Sequence, residues 1–328
     1  MKFDDVGIVV IGRNEGQRLV DCLTSIRMVT DNIIYVDSGS TDNSITAAKK
    51  IGAAVVTLDL SQPFTAARAR NEGFSALRSL MRDVRFVQFI DGDCTLVPDW
   101  MQKAVAFMNQ HEDVAIVCGR RRERYPAASI YNQMCDLEWD TPVGEAAACG
   151  GDALVRIKAF EEVGGFLPRV MAGEEPELCV RLRERRWRIW RLDAEMTLHD
   201  AAICRFGQWW LRSVRSGYGF AEVTRLHRNS TYCVWPRAIP SALFWAASLP
   251  AAIGLAAAIV HPIFLCAVLI YPVQAWRIAI RAGGTEAAWA YAGLILASKF
   301  AQAQGILKYY WLSWHGKAAQ LIEYKKSG

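Results

Sequence analysis

Four short runs of apolar residues, each ending in a polar loop, constrain the fold of this chain most strongly. They cover residues 6–11, 33–36, 53–58 and 84–90, and the first two are followed by segments with helical spacing of apolar residues. Residues 6–11 form a continuous apolar run, which is typical of a central parallel strand, and residues 84–90 are rich in the β-branched and aromatic residues of a short buried strand. Strands that alternate with helices form a parallel sheet through right-handed crossovers. We therefore predict an α/β fold with a Rossmann-like, mostly parallel sheet.

The fourth run ends in two carboxylates around a glycine, Asp91-Gly92-Asp93. The carboxyl ends of parallel strands form the edge at which open α/β sheets bind ligands. Oxygen ligands with this spacing suit a Mg²⁺ or Mn²⁺ ion that bridges phosphates, and Gly92 permits a close approach of the backbone. An ordinary Asp-Gly turn is the alternative at this stage.

Polar side chains also follow the first two runs, at Asn14 and Glu15 and at Asp37 and Ser38. The chain has neither the glycine fingerprint of dinucleotide-binding folds nor a P-loop. Groups of this kind at strand ends can bind the hydroxyls and base of a nucleotide, or they cap helices and turns. Arg68 and Arg70, in a small-residue-rich helical stretch, pair with phosphate or remain solvated.

The motifs V-I-G-R-N-E, V-D-S-G-S-T-D, A-R-A-R-N-E-G-F and F-I-D-G-D, in this order, resemble those of family 2 glycosyltransferases with the GT-A fold. The resemblance extends over about residues 6–200. It implies that Asp37 contacts the nucleoside and that Asp91 and Asp93 hold a divalent metal on the pyrophosphate of a sugar nucleotide. It also favours Arg68, Arg70 and Asn71 as nucleotide-side residues.

Two motifs in the second half of this region carry further expectations. The paired glycines of Gly150-Gly151-Asp152 permit close backbone approach to a sugar, and the resemblance places such a turn beside the donor or acceptor sugar. Glu174 and Glu175 begin a predicted helix, where acidic side chains are stabilised by the helix dipole. The family has Glu-Asp at this place, which implies that Glu175 deprotonates the acceptor hydroxyl, with Glu174 as the second candidate.

Two further features remain open between a structural and a functional interpretation. His199 follows a predicted strand over residues 189–198 and is either a structural histidine or, as in some GT-A enzymes, a metal ligand. The charged run at residues 119–124 follows a predicted strand and is either solvated or binds a phosphorylated acceptor.

The last third of the chain predicts a membrane region. Residues 203–237 mix aromatic and basic side chains, which predicts an interfacial helix on an anionic membrane, with a buried helix that has a charged outer face as the alternative. Residues 238–260 and 262–280 are each long and apolar enough to form a transmembrane hairpin, with a soluble helical domain as the alternative. Arginines on one side of the hairpin predict that the catalytic domain faces the cytoplasm. Residues 286–314 form either an interfacial helix, which we favour, or a third span. Lys325 and Lys326 lie on the cytoplasmic side only if this helix does not cross the membrane.

Composition agrees with this division into residues 1–202, 203–237 and 238–328. The apolar fraction of 52% is concentrated after residue 238, and the net charge of +5 accompanies no nucleic-acid-binding motif. The nine cysteines lack metal-ligand spacing, and the acidic N-terminus lacks a secretory signal.

Together these features predict a metal-dependent, inverting glycosyltransferase anchored to the cytoplasmic membrane. It would use a nucleotide diphosphate sugar, with UDP-sugars favoured. The expected acceptor is a membrane-proximal, polyprenyl-diphosphate-linked saccharide of polysaccharide assembly. A sugar-phosphate nucleotidyltransferase and a non-catalytic membrane scaffold are the alternatives. The sequence does not decide the oligomeric state.

Overall fold

The computed structural model describes residues 2–62 and 64–316. Lys325 and Lys326, whose side of the membrane was at issue, lie outside the described residues. The chain divides into two compact units. The first, the α/β unit, contains residues up to 125 together with 135–201 and 229–234. The second, the helical unit, contains residues 126–134 and 202–228 and the described chain from residue 235 on.

A nine-stranded mixed sheet forms the centre of the α/β unit. Its strands are β1 (Val6–Gly12), β2 (Ile33–Asp37), β3 (Ala54–Thr57), β4 (Phe86–Asp91), β5 (Cys94–Leu96), β6 (Val114–Glu123), β7 (Gly144–Glu145), β8 (Ala153–Arg156) and β9 (Arg188–His199). The spatial order is β3-β2-β1-β4-β8-β6-β9-β5, and β7 pairs with β9. The predicted α/β fold is therefore confirmed.

The four predicted apolar runs correspond to strands β1 to β4, which lie side by side in parallel. β1 lies between β2 and β4, so that Gly12 is opposite Asp37 and Ile11 is opposite Asp91. Val6, Ile8, Val9 and Val10 of β1 are completely buried because helices cover both faces. This register brings the polar residues that follow β1, β2 and β4 to one edge of the sheet.

The sequence suggested that the charged run at residues 119–124 follows a strand. In the structure most of this run belongs to the strand itself, β6. β6 continues to Glu123 because it pairs in parallel with the long strand β9, where Glu123 is opposite His199. Arg121 is only 16% exposed in this arrangement, so the solvated interpretation is wrong for this residue.

Twelve α-helices accompany these strands in the described chain. They are α1 (Gln17–Arg27), α2 (Ser44–Ile51), α3 (Ala66–Leu80), α4 (Trp100–Gln110), α5 (Ile130–Glu138), α6 (Ile157–Glu162), α7 (Glu174–Glu184), α8 (Phe206–Leu226), α9 (Ala238–Leu243), α10 (Leu249–Ile259), α11 (Ile270–Arg281) and α12 (Glu286–Trp314). Thr65 caps α3 by accepting a hydrogen bond from the backbone N–H of Arg68. This cap fixes the first turn of the helix that carries Arg70.

Within the helical unit, α8 and α12 cross at two glycines. A Cβ atom at Gly217 would lie 2.0 Å from the carbonyl oxygen of Gln302, and one at Gly305 would lie 2.0 Å from that of Val214. Only glycine permits this backbone contact. The Trp210 indole also donates a 2.9 Å hydrogen bond to the Gln304 side chain. The predicted aromatic segment is thus a helix that packs along α12.

Two continuous helical segments of the helical unit have the length and hydropathy of membrane spans. The most apolar 18-residue stretches of Ala238–Ile259 and Pro262–Arg281 have mean hydropathies of 1.9 and 1.8, and only 11% and 6% of these stretches are buried. Large apolar side chains such as Leu255, Ile259 and Ile263 are exposed along them. Exposed apolar helices of this length suit a lipid environment better than water.

Candidate functional site

The end of β4 and the start of α7 meet at one buried arginine, Arg70 of α3. Its Nη1 atom lies 2.9 Å from Glu174 Oε1 and 2.8 Å from Glu175 Oε1, and its Nη2 atom lies 3.0 Å from Asp91 Oδ1. Arg70 is only 3% exposed, so these ion pairs are largely shielded from solvent. The structure therefore brings together Arg70, Asp91 and both candidate bases.

Glu175 has an unusual protonation equilibrium for a glutamate. Its burial and the negative charge of Glu174 raise the pKa of Glu175 to about 7, although Arg70 opposes this shift. A carboxylate with such a pKa can accept a proton near neutral pH, as a general base must. The two glutamates also differ in exposure. The side chain of Glu174 is 6% exposed and that of Glu175 is 14% exposed.

Gly151, the second of the paired glycines, brings a backbone without a side chain close to these carboxylates. A Cβ atom at Gly151 would lie 2.8 Å from Arg70 Nη2, 3.1 Å from Asp91 Oδ2 and 3.3 Å from Glu175 Oε1. A Cβ atom at the neighbouring Gly150 would meet no atom within 4 Å. The backbone at Gly151 therefore approaches the charged groups more closely than any other residue type would permit.

A second buried arginine, Arg121 of β6, holds Asp91 from the other side. Its Nη2 atom donates a 2.8 Å hydrogen bond to Asp91 Oδ2, and its Nε atom donates a 3.0 Å hydrogen bond to Asp152 Oδ2. Asp152 also accepts hydrogen bonds from Thr197 Oγ1 and from the backbone N–H of Asp91. Although burial opposes it, the charges of Arg70 and Arg121 lower the pKa of Asp91.

The sequence interpretation did not assign Arg121 to this site. The available signal was the alternation of side chains along a strand, which puts Arg121 on the same face as Gly119 and Glu123 of β6. That signal required knowing that the strand continues through the charged run. Asp152, in contrast, was predicted and lies at this site.

The second carboxylate of the pair, Asp93, lies beside His199. Asp93 Oδ2 is 3.3 Å from His199 Nε2, and both side chains are at least nine-tenths buried. Cys94 is opposite His199 in the β5–β9 ladder, and the metal-ligating atoms of Asp93, Cys94 and His199 all lie within 4.8 Å of one another. A buried carboxylate and an imidazole at this separation fit a divalent metal ion. Gly92 connects the two aspartates, and its N–H donates to the Ile11 carbonyl.

The predicted nucleotide-side residues lie on neighbouring loops and hold those loops together. Asn14 accepts a 2.7 Å hydrogen bond from the backbone N–H of Thr41. Asp37 is completely buried and accepts hydrogen bonds from the N–H groups of Gly39 and Ser40. Ser38 is buried beside it, with its N–H donating to the Gly12 carbonyl. Nucleoside binding by these residues stays a prediction.

The remaining three predicted residues also make local contacts. Glu15 forms a 2.7 Å ion pair with Arg18. Arg68 donates hydrogen bonds to the carbonyl oxygens of Asp59 and Gln62. Both polar atoms of the Asn71 side chain bind the backbone of Phe166. These contacts stabilise the loops around the sheet edge, and binding of phosphate by Arg68 stays a prediction.

Comparisons with known proteins bear on this arrangement. Residues 7–163 match the family model described as glycosyl transferase family 2. An uncharacterized glycosyltransferase of Rickettsia conorii is 38% identical over 53 residues, a stretch that covers 16% of this chain and 19% of that protein.

Solved structures show the same fold at low sequence identity. The mannosyltransferase PcManGT from Pyrobaculum calidifontis, in complex with GDP-Man and Mn²⁺, has a TM-score of 0.63 and 18% identity, over 94% of this chain and 87% of that chain. TarS from S. aureus has a TM-score of 0.50 and 12% identity, over 69% of this chain and 40% of that chain.

Proposed function

We propose that the chain, whose residues 7–163 match the glycosyl transferase family 2 model and whose fold is that of PcManGT, is a GT-A glycosyltransferase that transfers a sugar. The donor is a nucleotide diphosphate sugar and the acceptor offers a hydroxyl group. The observation that carries this proposal is the convergence of Glu175, Asp91 and the side-chain-free backbone at Gly151 around Arg70. That arrangement offers a base, a charged end for the diphosphate and a surface against which a sugar ring can lie.

Glu175 is the proposed general base. Its carboxylate removes the proton from the acceptor hydroxyl as the oxygen attacks the anomeric carbon, and the bond to the diphosphate breaks on the opposite side. This single in-line displacement inverts the anomeric centre. Arg70 supports the step because its ion pair keeps Glu175 Oε1 close to Asp91. NMR of the product would give the anomeric configuration, and retention would overturn this mechanism.

Asp93 and His199 would hold a Mg²⁺ or Mn²⁺ ion, with Asp91 beside them. When bound, such an ion offsets the negative charge that develops on the leaving diphosphate. Support comes from the buried oxygen and nitrogen atoms of Asp93 and His199, 3.3 Å apart. Calorimetry tests this part. Donor binding is expected to disappear after chelation and to return with Mn²⁺ in the wild type but not in Asp93→Asn.

The donor is identified with a panel of sugar nucleotides. UDP-sugars remain the favoured donors, and GDP-mannose is included because PcManGT, which has the same fold, was solved with it. Release of a nucleoside diphosphate together with a glycosylated product is expected. Pyrophosphate release from a nucleoside triphosphate would instead favour the nucleotidyltransferase. The absence of any metal-dependent binding would favour the scaffold.

The acceptor is proposed to be a polyprenyl-diphosphate-linked saccharide at the cytoplasmic face of the membrane, in polysaccharide assembly. Support comes from the two apolar segments Ala238–Ile259 and Pro262–Arg281 and from the arginines that flank them in the sequence. These features favour an integral anchor with the catalytic domain in the cytoplasm. The acceptor class itself rests on this anchor and on analogy with the family.

A matched pair of substitutions tests the anchor. Leu255 in α10 is 62% exposed and Leu80 in the α/β unit is 63% exposed. An arginine costs about 2.5–3.5 kcal/mol at the centre of a spanning helix and less toward its ends, and Leu255 lies near the end of Ala238–Ile259. We therefore expect Leu255→Arg to reduce insertion into liposomes in a flotation assay and Leu80→Arg to leave it unchanged. Equal flotation of both variants and the wild type would contradict the proposed span.

A further inference from the structure

We infer that Asp93, Cys94 and His199 form a three-ligand site that prefers Zn²⁺ to the Mg²⁺ or Mn²⁺ that carboxylates alone would select. The inference deepens the proposed function, because it names the class of metal at the same site. The role of the ion in catalysis rests on the proposed function, whereas the binding of zinc to these three residues can be measured independently of it. The thiol of Cys94 is the decisive ligand.

The β5–β9 ladder places the thiol and the imidazole together. Cys94 is directly opposite His199 in this antiparallel pair. Side chains of directly opposite residues project from the same face of a sheet, with Cβ atoms about 4.5–5.5 Å apart. Asp93 precedes Cys94, and its carboxylate turns toward both, with Oδ2 3.3 Å from His199 Nε2 and Oδ1 3.7 Å from Cys94 Sγ.

These separations suit tetrahedral coordination. Zinc binds oxygen and nitrogen at about 2.0–2.2 Å and sulfur at about 2.3 Å, so the ligand atoms of a tetrahedral site lie roughly 3.3–3.7 Å apart. The two Asp93 oxygens approach one ligand each, Oδ2 at 3.3 Å from His199 Nε2 and Oδ1 at 3.7 Å from Cys94 Sγ, and one ligand atom from each of the three residues lies within 4.8 Å of the other two. Three protein ligands leave a fourth position open, as in catalytic zinc sites.

Charge balance also favours zinc. A zinc ion deprotonates a thiol that coordinates it, so one divalent ion with the Asp93 carboxylate and the Cys94 thiolate forms a neutral group. All three side chains are buried, and a neutral group is less costly to bury than a charged one. Soft thiolate ligands select zinc over magnesium and manganese, and zinc also lies above manganese in the Irving–Williams order.

The neighbouring acidic cluster does not compete for this ion. Asp91, Cys94 and Asp152 also lie close enough together to hold a cation. Arg121 already supplies a positive charge there, because its guanidinium contacts Asp91 Oδ2, Asp152 Oδ2 and, at 3.3 Å, Cys94 Sγ. The Asp93–His199 side of Cys94 is therefore the place for a metal ion.

The surroundings of His199 resemble the second layer of a metal site. Glu123 Oε2 lies 3.9 Å from His199 Nδ1, and the Trp139 ring packs edge-on against the imidazole at 4.9 Å. At 3.9 Å the Glu123 carboxylate is beyond hydrogen-bond distance and acts on the imidazole through its charge, which favours a proton on the nitrogen that faces it. A proton on Nδ1 would leave the lone pair of Nε2 available to a metal ion.

The test uses the full chain, freed of metal by a chelator, without any sugar nucleotide. Titration with Co²⁺ reports a sulfur ligand through its near-ultraviolet charge-transfer absorption, and competition with Zn²⁺ and Mn²⁺ gives their affinities. We expect the absorption in the wild type and zinc binding at least about 100-fold tighter than manganese binding. In Cys94→Ser we expect loss of the absorption and a decrease in zinc affinity larger than the roughly 10–100-fold that loss of an outer-layer partner causes, with little change for manganese.

Cys179→Ser is the matched control, because Cys179 belongs to the other close thiol pair, with its Sγ atom 3.7 Å from Cys149 Sγ. This variant is expected to keep the absorption. Absence of the charge-transfer absorption in the wild type would overturn the inference, and this result does not depend on whether Cys94→Ser folds. Persistence of the absorption in Cys94→Ser would also overturn it. Donor binding with Mn²⁺, measured separately, distinguishes failure of the zinc inference from failure of the proposed transferase.

Discussion

The contrast between Gly151 and Gly150 gives the sharpest test of the site's geometry. Neither glycine has a left-handed backbone, so alanine is compatible with the local conformation at both positions. A methyl group at Gly151 would lie 2.8 Å from Arg70 Nη2, whereas one at Gly150 would meet nothing within 4 Å. We expect Gly151→Ala to impair transfer and Gly150→Ala to leave it unchanged.

The size of the effect follows from the packing. Ordinary contact begins at 3.4 Å, so Arg70 must move by 3.4 − 2.8 = 0.6 Å or the Gly151 backbone must withdraw. Arg70 is 3% exposed and held by three carboxylates, so it cannot move without displacing Glu175 or Asp91. Overpacking of this kind costs about 1–3 kcal/mol, and a displacement of about 1 Å at reacting groups costs up to roughly 10²-fold in rate.

The assay is steady-state release of nucleoside diphosphate with the donor identified from the panel, together with thermal unfolding of each variant. A decrease of about 10–100-fold in kcat/KM is expected for Gly151→Ala and less than about twofold for Gly150→Ala. Equal values of kcat/KM in the two variants would refute the role assigned to Gly151. So would a loss of activity in Gly150→Ala without a loss of stability.

Three further predictions concern the charged groups. Because the base must be deprotonated, kcat/KM is expected to rise with pH up to about 7 and then level off. Glu175→Gln is expected to lose about 10²–10⁴-fold activity and to lose this pH dependence. A pH-rate profile that is the same in the variant and the wild type would contradict the assignment. Arg121→Gln leaves the buried Asp152 without its ion pair and is expected to lower the free energy of unfolding by about 3 kcal/mol, measured by denaturant unfolding. Arg122 is 42% exposed, so the control Arg122→Gln is expected to change the free energy of unfolding little. Asp93→Asn should abolish the protection that Mn²⁺ gives against thermal unfolding, and persistent protection would assign the metal elsewhere.

The sequence predicted the four parallel strands β1 to β4 because each corresponds to a short, mainly apolar run that ends in a polar loop. The run at residues 84–90 corresponds to β4, which ends at Asp91, and that at residues 33–36 corresponds to β2, which ends at Asp37. The short strands β5 and β7 were not predicted, since 3 and 2 residues carry no periodicity and depend on pairing with β9.

The candidate site was predicted in its residues but only partly in its connections. The glycine pair and the two glutamates were identified from motifs and lie together in the structure. The roles of Arg70 and Arg121 as links between carboxylates could not be predicted, because they depend on which side chains meet across distant segments. Arg70 was expected to bind phosphate, and the structure shows it paired with Asp91, Glu174 and Glu175.

The contacts of α3 have a consequence for how this protein folds. Arg70 reaches Glu174 across 104 positions of sequence, and the neighbouring residues Thr65 and Asn71 reach Pro168 and Phe166 across 103 and 95 positions. Closing a loop of this length costs about 4 kcal/mol of chain entropy before any contact forms. These contacts therefore form late, after the local strand–helix units. A fragment ending at residue 163, where the family match ends, would retain Arg70 but lose Glu174 and Glu175. The nascent chain can complete the cluster of Arg70, Glu174 and Glu175 only after the segment beyond that boundary has been synthesised.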